Sequence, residues 1–252
     1  MNDYPHIDVV GLFNEVVSEH PNAILLDKYL REKTGRDADF ANADYVFHSE
    51  KVIAELKCLQ NDNASSPANQ AKLTAAIDRF YAEGRISTKE FNEETWPKFP
   101  KELQNEVYNI TTNAIRERVA KANRQIRETR EKLGLSSYSG LLLIANDGII
   151  SLPPAAFIHS VVRLLMNHFS EIDCFIFFTA NVFSAIRGVP MPVVHWFPMS
   201  MHKPAKIDEH FLNCLRLSWG RKCFAKMGVQ AFDHQMHDSD MEAFWKARNF
   251  QA

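Results

Sequence analysis

Three side chains in the first quarter of the chain, Asp44, Glu55 and Lys57, are of the right types and spacing to carry chemistry. Glu55 and Lys57 sit two apart in the run Lys51–Leu59, whose β-branched and apolar residues predict a strand. Residues two apart on a strand point to the same side. A carboxylate and an ammonium therefore flank one spot, with Ile53 on their face and Ala54, Leu56 and Cys58 turned the other way. Asp44 opens a second extended run, Asp44-Tyr45-Val46-Phe47, and His48-Ser49-Glu50 reads as the turn of a hairpin. Paired as a hairpin, the two runs bring the Asp44 side chain toward Glu55. Two carboxylates, with the Leu56 carbonyl between them, are the hard oxygen donors that Mg²⁺ (or Mn²⁺) prefers. A lysine beside such a cation can orient a water or steady the charge that develops on a phosphate.

The strand Val52–Leu59 is apolar on both faces apart from Glu55 and Lys57, the pattern of a central strand, and charges there need a partner or a task. The plainer alternative is a solvent-facing ion pair on an edge strand, with Asp44 capping a turn.

Asp44 followed by Glu55-x-Lys57 at the end of an apolar strand resembles the PD-(D/E)XK nuclease superfamily, the fold of many restriction endonucleases and Holliday-junction resolvases. The resemblance covers about residues 20–180 in element order: helix, strand with Asp, strand with Glu-x-Lys, long helical crossover, buried strand. It implies an α/β, restriction-endonuclease-like mixed central sheet flanked by helices. It also implies a Mg²⁺-dependent phosphodiesterase with Asp44 and Glu55 on the metal, Lys57 assisting catalysis, and a nucleic acid, DNA by family habit, as partner. This chain has Ala43 where the family often has proline, and residues 61–139 read as a mainly helical insertion and crossover. The family's further acidic ligand has four candidates here, Glu15, Glu19, Asp27 and Glu32. Gln60 matches a recurrent Gln or Lys position only by its place after the signature.

The elements that must position these groups follow from periodicity. Residues 8–19 carry a helical apolar side, and a second helix is expected from Asn22 to Gly35. Residues 66–83 predict one helix, 86–100 a loop-rich joint, and 101–133 one long helix or two in line. Leu141–Ala145 and Cys174–Thr179 read as fully buried strands, with a helix from Pro153-Pro154 to about Phe169 between them. Val193–Met199 reads as a further strand and 208–226 as a closing helix, followed by a polar tail anchored by Phe232, Phe244 and Trp245. All 252 residues are expected to form one nuclease-like domain.

Charge is nearly balanced, with 29 basic and 31 acidic residues and a formal net charge of −2, so nucleic acid must be met by a local patch. Arg116–Lys132 is the basic segment, and Arg116, Lys121, Arg124 and Arg127 are its candidate backbone contacts. Solvated i,i+4 ion pairing explains the same residues without a ligand. Cys58, Cys174, Cys214 and Cys223 form no CxxC pair and read as reduced core thiols, which with the acidic start MNDYPHIDVVG predicts a cytoplasmic protein. No apolar run is long enough for a membrane partner. A homodimer fits an enzyme that cuts two strands. His234, His237 and Asp238 form a weaker alternative zinc set without a third strong ligand. His195, His202 and the aromatics Phe175–Phe178 read as structural, and no P-loop, dinucleotide fingerprint or GxSxG is present. The rival to an enzyme is an inactive protein of the same fold serving as a nucleic-acid or protein interaction module.

Overall fold

The computed structural model describes residues 4–90, 92, 94–185, 193–229 and 247–250. The chain is α/β. Its central sheet is built from β1 (Ala23–Leu25), β2 (Tyr45–Phe47), β3 (Val52–Leu59), β4 (Ser139–Asn146), β5 (Cys174–Thr179) and β7 (Trp196–Ser200), in the order β1-β2-β3-β4-β5-β7. β1, β2 and β3 are antiparallel neighbours, β3, β4 and β5 are parallel, and β7 closes the edge antiparallel to β5. A short second sheet pairs β6 (Phe183–Ala185) with β8 (Arg248–Phe250), a pairing that the periodicity of the sequence does not predict.

Both faces of the central strands are covered, which explains why β4 and β5 lack polar alternation. On one face α1 (Val9–Glu19) and α6 (Glu209–Met227) pack over Ala54, Leu56, Leu141, Leu143, Ile176 and Phe178. On the other, α4 (Lys101–Lys132) and α5 (Pro154–His168) cover Ile53, Leu142, Ile144, Phe175 and Phe177. The parallel β3–β4 step is made by α3 (Pro67–Ala82) and α4, so the expected helical crossover is present. α3 and the first turns of α4 enclose a small core of their own around Ala76, Phe80, Phe99, Leu103 and Val107.

Two element boundaries differ from expectation. The helix expected from Asn22 begins at Leu26 as α2 (Leu26–Thr34); Asn22 turns at φ 58° and Ala23–Leu25 add a strand to the edge of β2. The run Ala-Ile-Leu-Leu has no polar position to choose between periods of 2 and 3.6, and the open edge of β2 decides it. The strand expected over 193–199 forms as Trp196–Ser200, with Val193 held instead by a bridge to Ser184. Pro198 is tolerated there because β7 is an edge strand. All four cysteines are free thiols, and burial pushes Cys174 and Cys223 up to about 12, so both stay protonated in the core.

Candidate active site

The hairpin register pairs Tyr45 with Ala54, so Asp44 and Glu55 fall opposite each other one step beyond the end of β2. There the ladder continues through side chains. The Asp44 main-chain N–H donates to Glu55 Oε2 at 3.1 Å, and the Leu56 N–H donates to Asp44 Oδ2 at 2.8 Å. The Asp44 carbonyl accepts the Leu26 N–H at 2.8 Å, which ties the start of α2 to the same residue. The Lys57 ammonium is hydrogen-bonded and ion-paired to Glu55 Oε1. Asp44, Glu55 and Lys57 therefore share one spot, on the α4 face of the sheet, and the Leu56 peptide contributes its N–H to Asp44.

Burial dominates the electrostatics. Glu55 is 1% exposed and Lys57 8%. Burial, and then the neighbouring Asp44 charge, push the Glu55 carboxyl up to about 8, with Lys57 pulling the other way. Burial also raises Asp44, opposed by the Leu56 N–H bond and the Lys57 charge. Two carboxylates that resist ionising together at one place, next to a lysine, form a strained electrostatic unit that added positive charge relieves.

The donor set suits a hard divalent cation such as Mg²⁺ or Mn²⁺: Asp44 and Glu55 supply carboxylate oxygens. No group of three or more His, Cys, Asp or Glu side chains able to hold a metal occurs among the described residues, so water would have to complete the coordination. Of the four acidic candidates, Asp27 is the one near this place: its charge adds to the raising of Asp44, and its Oδ1 accepts from Asn42 Nδ2 at 2.7 Å. Glu15 and Glu19 pair with Lys222 of α6 across the other face, and Glu32 pairs with Lys28 at the surface. Gln60 is exposed beyond the end of β3.

Sequence reasoning missed Gln125. From α4 its Oε1 accepts from Lys57 Nζ at 2.8 Å while its Nε2 donates to the Asn42 carbonyl at 2.7 Å. Two neighbours on the helix act in the same way: Glu128 Oε2 accepts the Ala41 N–H at 2.9 Å and Thr129 Oγ1 the Ala43 N–H at 2.7 Å. Three helix side chains thus clamp the three residues that lead into Asp44. In the sequence these three lie beside the apolar stripe Ile115–Val119–Ala122–Ile126, as other polar residues of the helix also do, so position on the helix alone does not single them out.

That stripe also fixes how α4 is rotated, and this changes the reading of its basic residues. Arg116, Lys121, Arg124 and Arg127 are all exposed. Arg116 lies nine positions, about two and a half turns, from Gln125 and so on the opposite flank. Arg127 shares that flank, the one along which Asn105 and Tyr108 meet Arg163 and Ser160 of α5. Arg124 points between the flanks and is ion-paired with Glu128. The four do not form one stripe facing Asp44 and Glu55; Lys121, one turn before Gln125, is the candidate on the site's flank, joined there by Arg118. The zinc alternative at His234, His237 and Asp238, and the anchors Phe232, Phe244 and Trp245, lie outside the described residues. His195 is buried, with Nε2 2.7 Å from Ser184 Oγ, and His202 contacts Asp173 at 2.9 Å. Among the described residues no helix is long and apolar enough to cross a membrane.

Neither a protein-family model, nor a curated protein, nor a solved structure matches this chain.

Proposed function

We propose that this protein is a divalent-metal-dependent nuclease of the PD-(D/E)XK type, built on a restriction-endonuclease-like variant of its mixed sheet, and that it hydrolyses phosphodiester bonds, with DNA as the substrate favoured by family habit. The observation that carries the reading is the in-register meeting of Asp44 and Glu55 with Lys57 bonded to Glu55. Its support in the fold is that the Glu-x-Lys strand is followed by a helical crossover to a parallel neighbour.

Bound Mg²⁺ or Mn²⁺ would polarise a phosphoryl oxygen and lower the pKa of water. Asp44 and Glu55 would hold it, and their mutual repulsion in a buried place gives them reason to do so. Lys57, steered by Glu55 and Gln125, has its ammonium where it can donate to the scissile phosphate or orient the attacking water. Lys121 and Arg118 offer cations for the flanking backbone.

One observation favours the interaction-module reading. Each of the three groups already has a partner within the protein, so the same network satisfies itself as a buried structural unit. The test is cleavage of plasmid and of labelled oligonucleotides with and without Mg²⁺. The nuclease reading expects chelator-sensitive cutting that falls about 100-fold or more in Glu55→Gln and in Lys57→Met. Folded, nucleic-acid-binding protein without any such cutting would favour the module.

A further inference from the structure

The register of the β2–β3 hairpin, carried on past the end of β2, would set Ala43 opposite Leu56 and Ala41 opposite Cys58. The pairing stops short of both. The Ala43 N–H donates to Thr129 Oγ1, the Ala43 carbonyl accepts from Asn42 Nδ2 at 3.0 Å, and the Ala41 N–H donates to Glu128 Oε2. With Gln125 on the Asn42 carbonyl, three α4 side chains thus peel residues 41–43 away from β3. Beyond Ala54, that edge of β3 has no strand beside it.

The ladder decides which main-chain groups the open edge presents. The Lys51 and Leu59 carbonyls accept from the Ser139 and Asp147 N–H groups, so the odd-numbered residues of β3 serve β4 and the even-numbered ones face β2. Leu56 and Cys58 are the even-numbered residues past Ala54. The Leu56 N–H is taken by Asp44 Oδ2 at 2.8 Å. The Cys58 N–H points out of the same edge one two-residue repeat further on, about 6.6 Å. Asn42, Asp44 and Cys58 are all partly exposed, so solvent reaches this rim.

We propose that the Cys58 main-chain N–H is a substrate-binding group of the site, donating to a phosphate oxygen of the nucleic acid beside Asp44, Glu55 and Lys57. The inference rests on the nuclease reading and adds a donor to it. A main-chain N–H suits the place: the strand fixes it, it adds no charge to compete for the two carboxylates, and it grips phosphate without reading sequence. The thiol of the same residue does not oppose it. Burial, and then the charges of Asp147, Asp44 and Asp8, push Cys58 up to about 12, so its sulfur stays protonated and uncharged. Those carboxylates also repel a bare phosphate, which is therefore expected to reach the N–H only when a divalent cation is present.

The test is amide NMR of the full chain with single- and double-stranded DNA oligonucleotides and Ca²⁺ as the hard cation. In the free protein the Cys58 amide should exchange with solvent at least about ten-fold faster than those of Glu55 and Lys57, which bond to β4. Oligonucleotide with Ca²⁺ should shift the Cys58 amide proton, and oligonucleotide alone should not. Cys58→Pro removes an N–H that makes no bond to β4, next to a residue that is already extended. This variant, and an ester in place of the 57–58 amide, are compared with Cys58→Ala, which keeps the N–H. Both should bind the oligonucleotide about ten- to a hundred-fold more weakly than Cys58→Ala.

A Cys58 amide as slow to exchange as its neighbours, or unmoved by oligonucleotide and Ca²⁺, would overturn the inference with no variant needed. So would an ester variant that binds as Cys58→Ala does. Adding Mg²⁺ separates the two claims. A Cys58 amide that responds in a protein that cuts nothing sinks the nuclease reading alone, and cutting that the ester variant shares with Cys58→Ala sinks the donor alone.

Discussion

Lys57 Nζ and Gln125 Oε1 are 2.8 Å apart, and through the same amide Gln125 also holds the Asn42 carbonyl at 2.7 Å. One side chain of α4 thus fixes both the ammonium on β3 and the segment that delivers Asp44. The relationship makes α4 part of the candidate site and not merely its cover.

Gln125→Met keeps the length of the side chain and removes both hydrogen bonds. Lys57 then has only Glu55 to direct it, so kcat should fall by about ten-fold with a smaller change in KM. Folding should be weakened by about 1 kcal/mol. Steady-state cleavage kinetics together with urea denaturation read the two effects separately.

Thr129→Val is nearly isosteric but leaves the buried Ala43 N–H without its acceptor. A loss of about 1–3 kcal/mol is expected, visible as a lower urea midpoint, with activity reduced because the residue next to Asp44 loosens.

Gly148→Ala probes the end of β3. A Cβ at position 148 would lie 2.0 Å from the Gln60 carbonyl oxygen, so main chain has to move. The expected cost is about 1–3 kcal/mol, measured by thermal melting, and a variant as stable as wild type would show that the two segments are not packed as described.

His195 gives the pH dependence. Burial pulls its pKa from 6.5 down to about 4, so the folded protein keeps the ring neutral while the unfolded chain takes up a proton first. Stability from this group is complete above about pH 6.5 and is lost as pH falls toward 4, by roughly 3 kcal/mol. Urea melts at pH 7 and pH 4 should show a correspondingly smaller pH-dependent loss for His195→Gln than for wild type.

How much of this was legible beforehand depended on how far the determining contacts lie in the chain. β3, β4 and β5 could be read because a strand covered on both faces is apolar at successive positions, and α4 because its apolar stripe recurs from Leu103 to Ile126, about six turns. The Asp44–Glu55–Lys57 meeting could be read because a hairpin of short loop fixes its own register. β1 could not, since Ala23–Leu25 is a strand only because β2 leaves an edge beside it. Gln125 could not either: its contacts with Asn42 and Lys57 span 83 and 68 positions, and nothing local marks one polar residue of a basic helix as different from the next. For the same reason the helical phase of Arg116 and Arg127 became clear only once the buried stripe was oriented against the sheet.

Calorimetric titration of Mg²⁺, with Mn²⁺ as a second ion, into wild type, Asp44→Asn and Glu55→Gln addresses the core of the account. Saturable binding to wild type that disappears in both variants, each still folded by circular dichroism, is the predicted result, together with a metal-dependent rise in melting temperature for wild type only. Equal heats and equal melting shifts in all three proteins would contradict it.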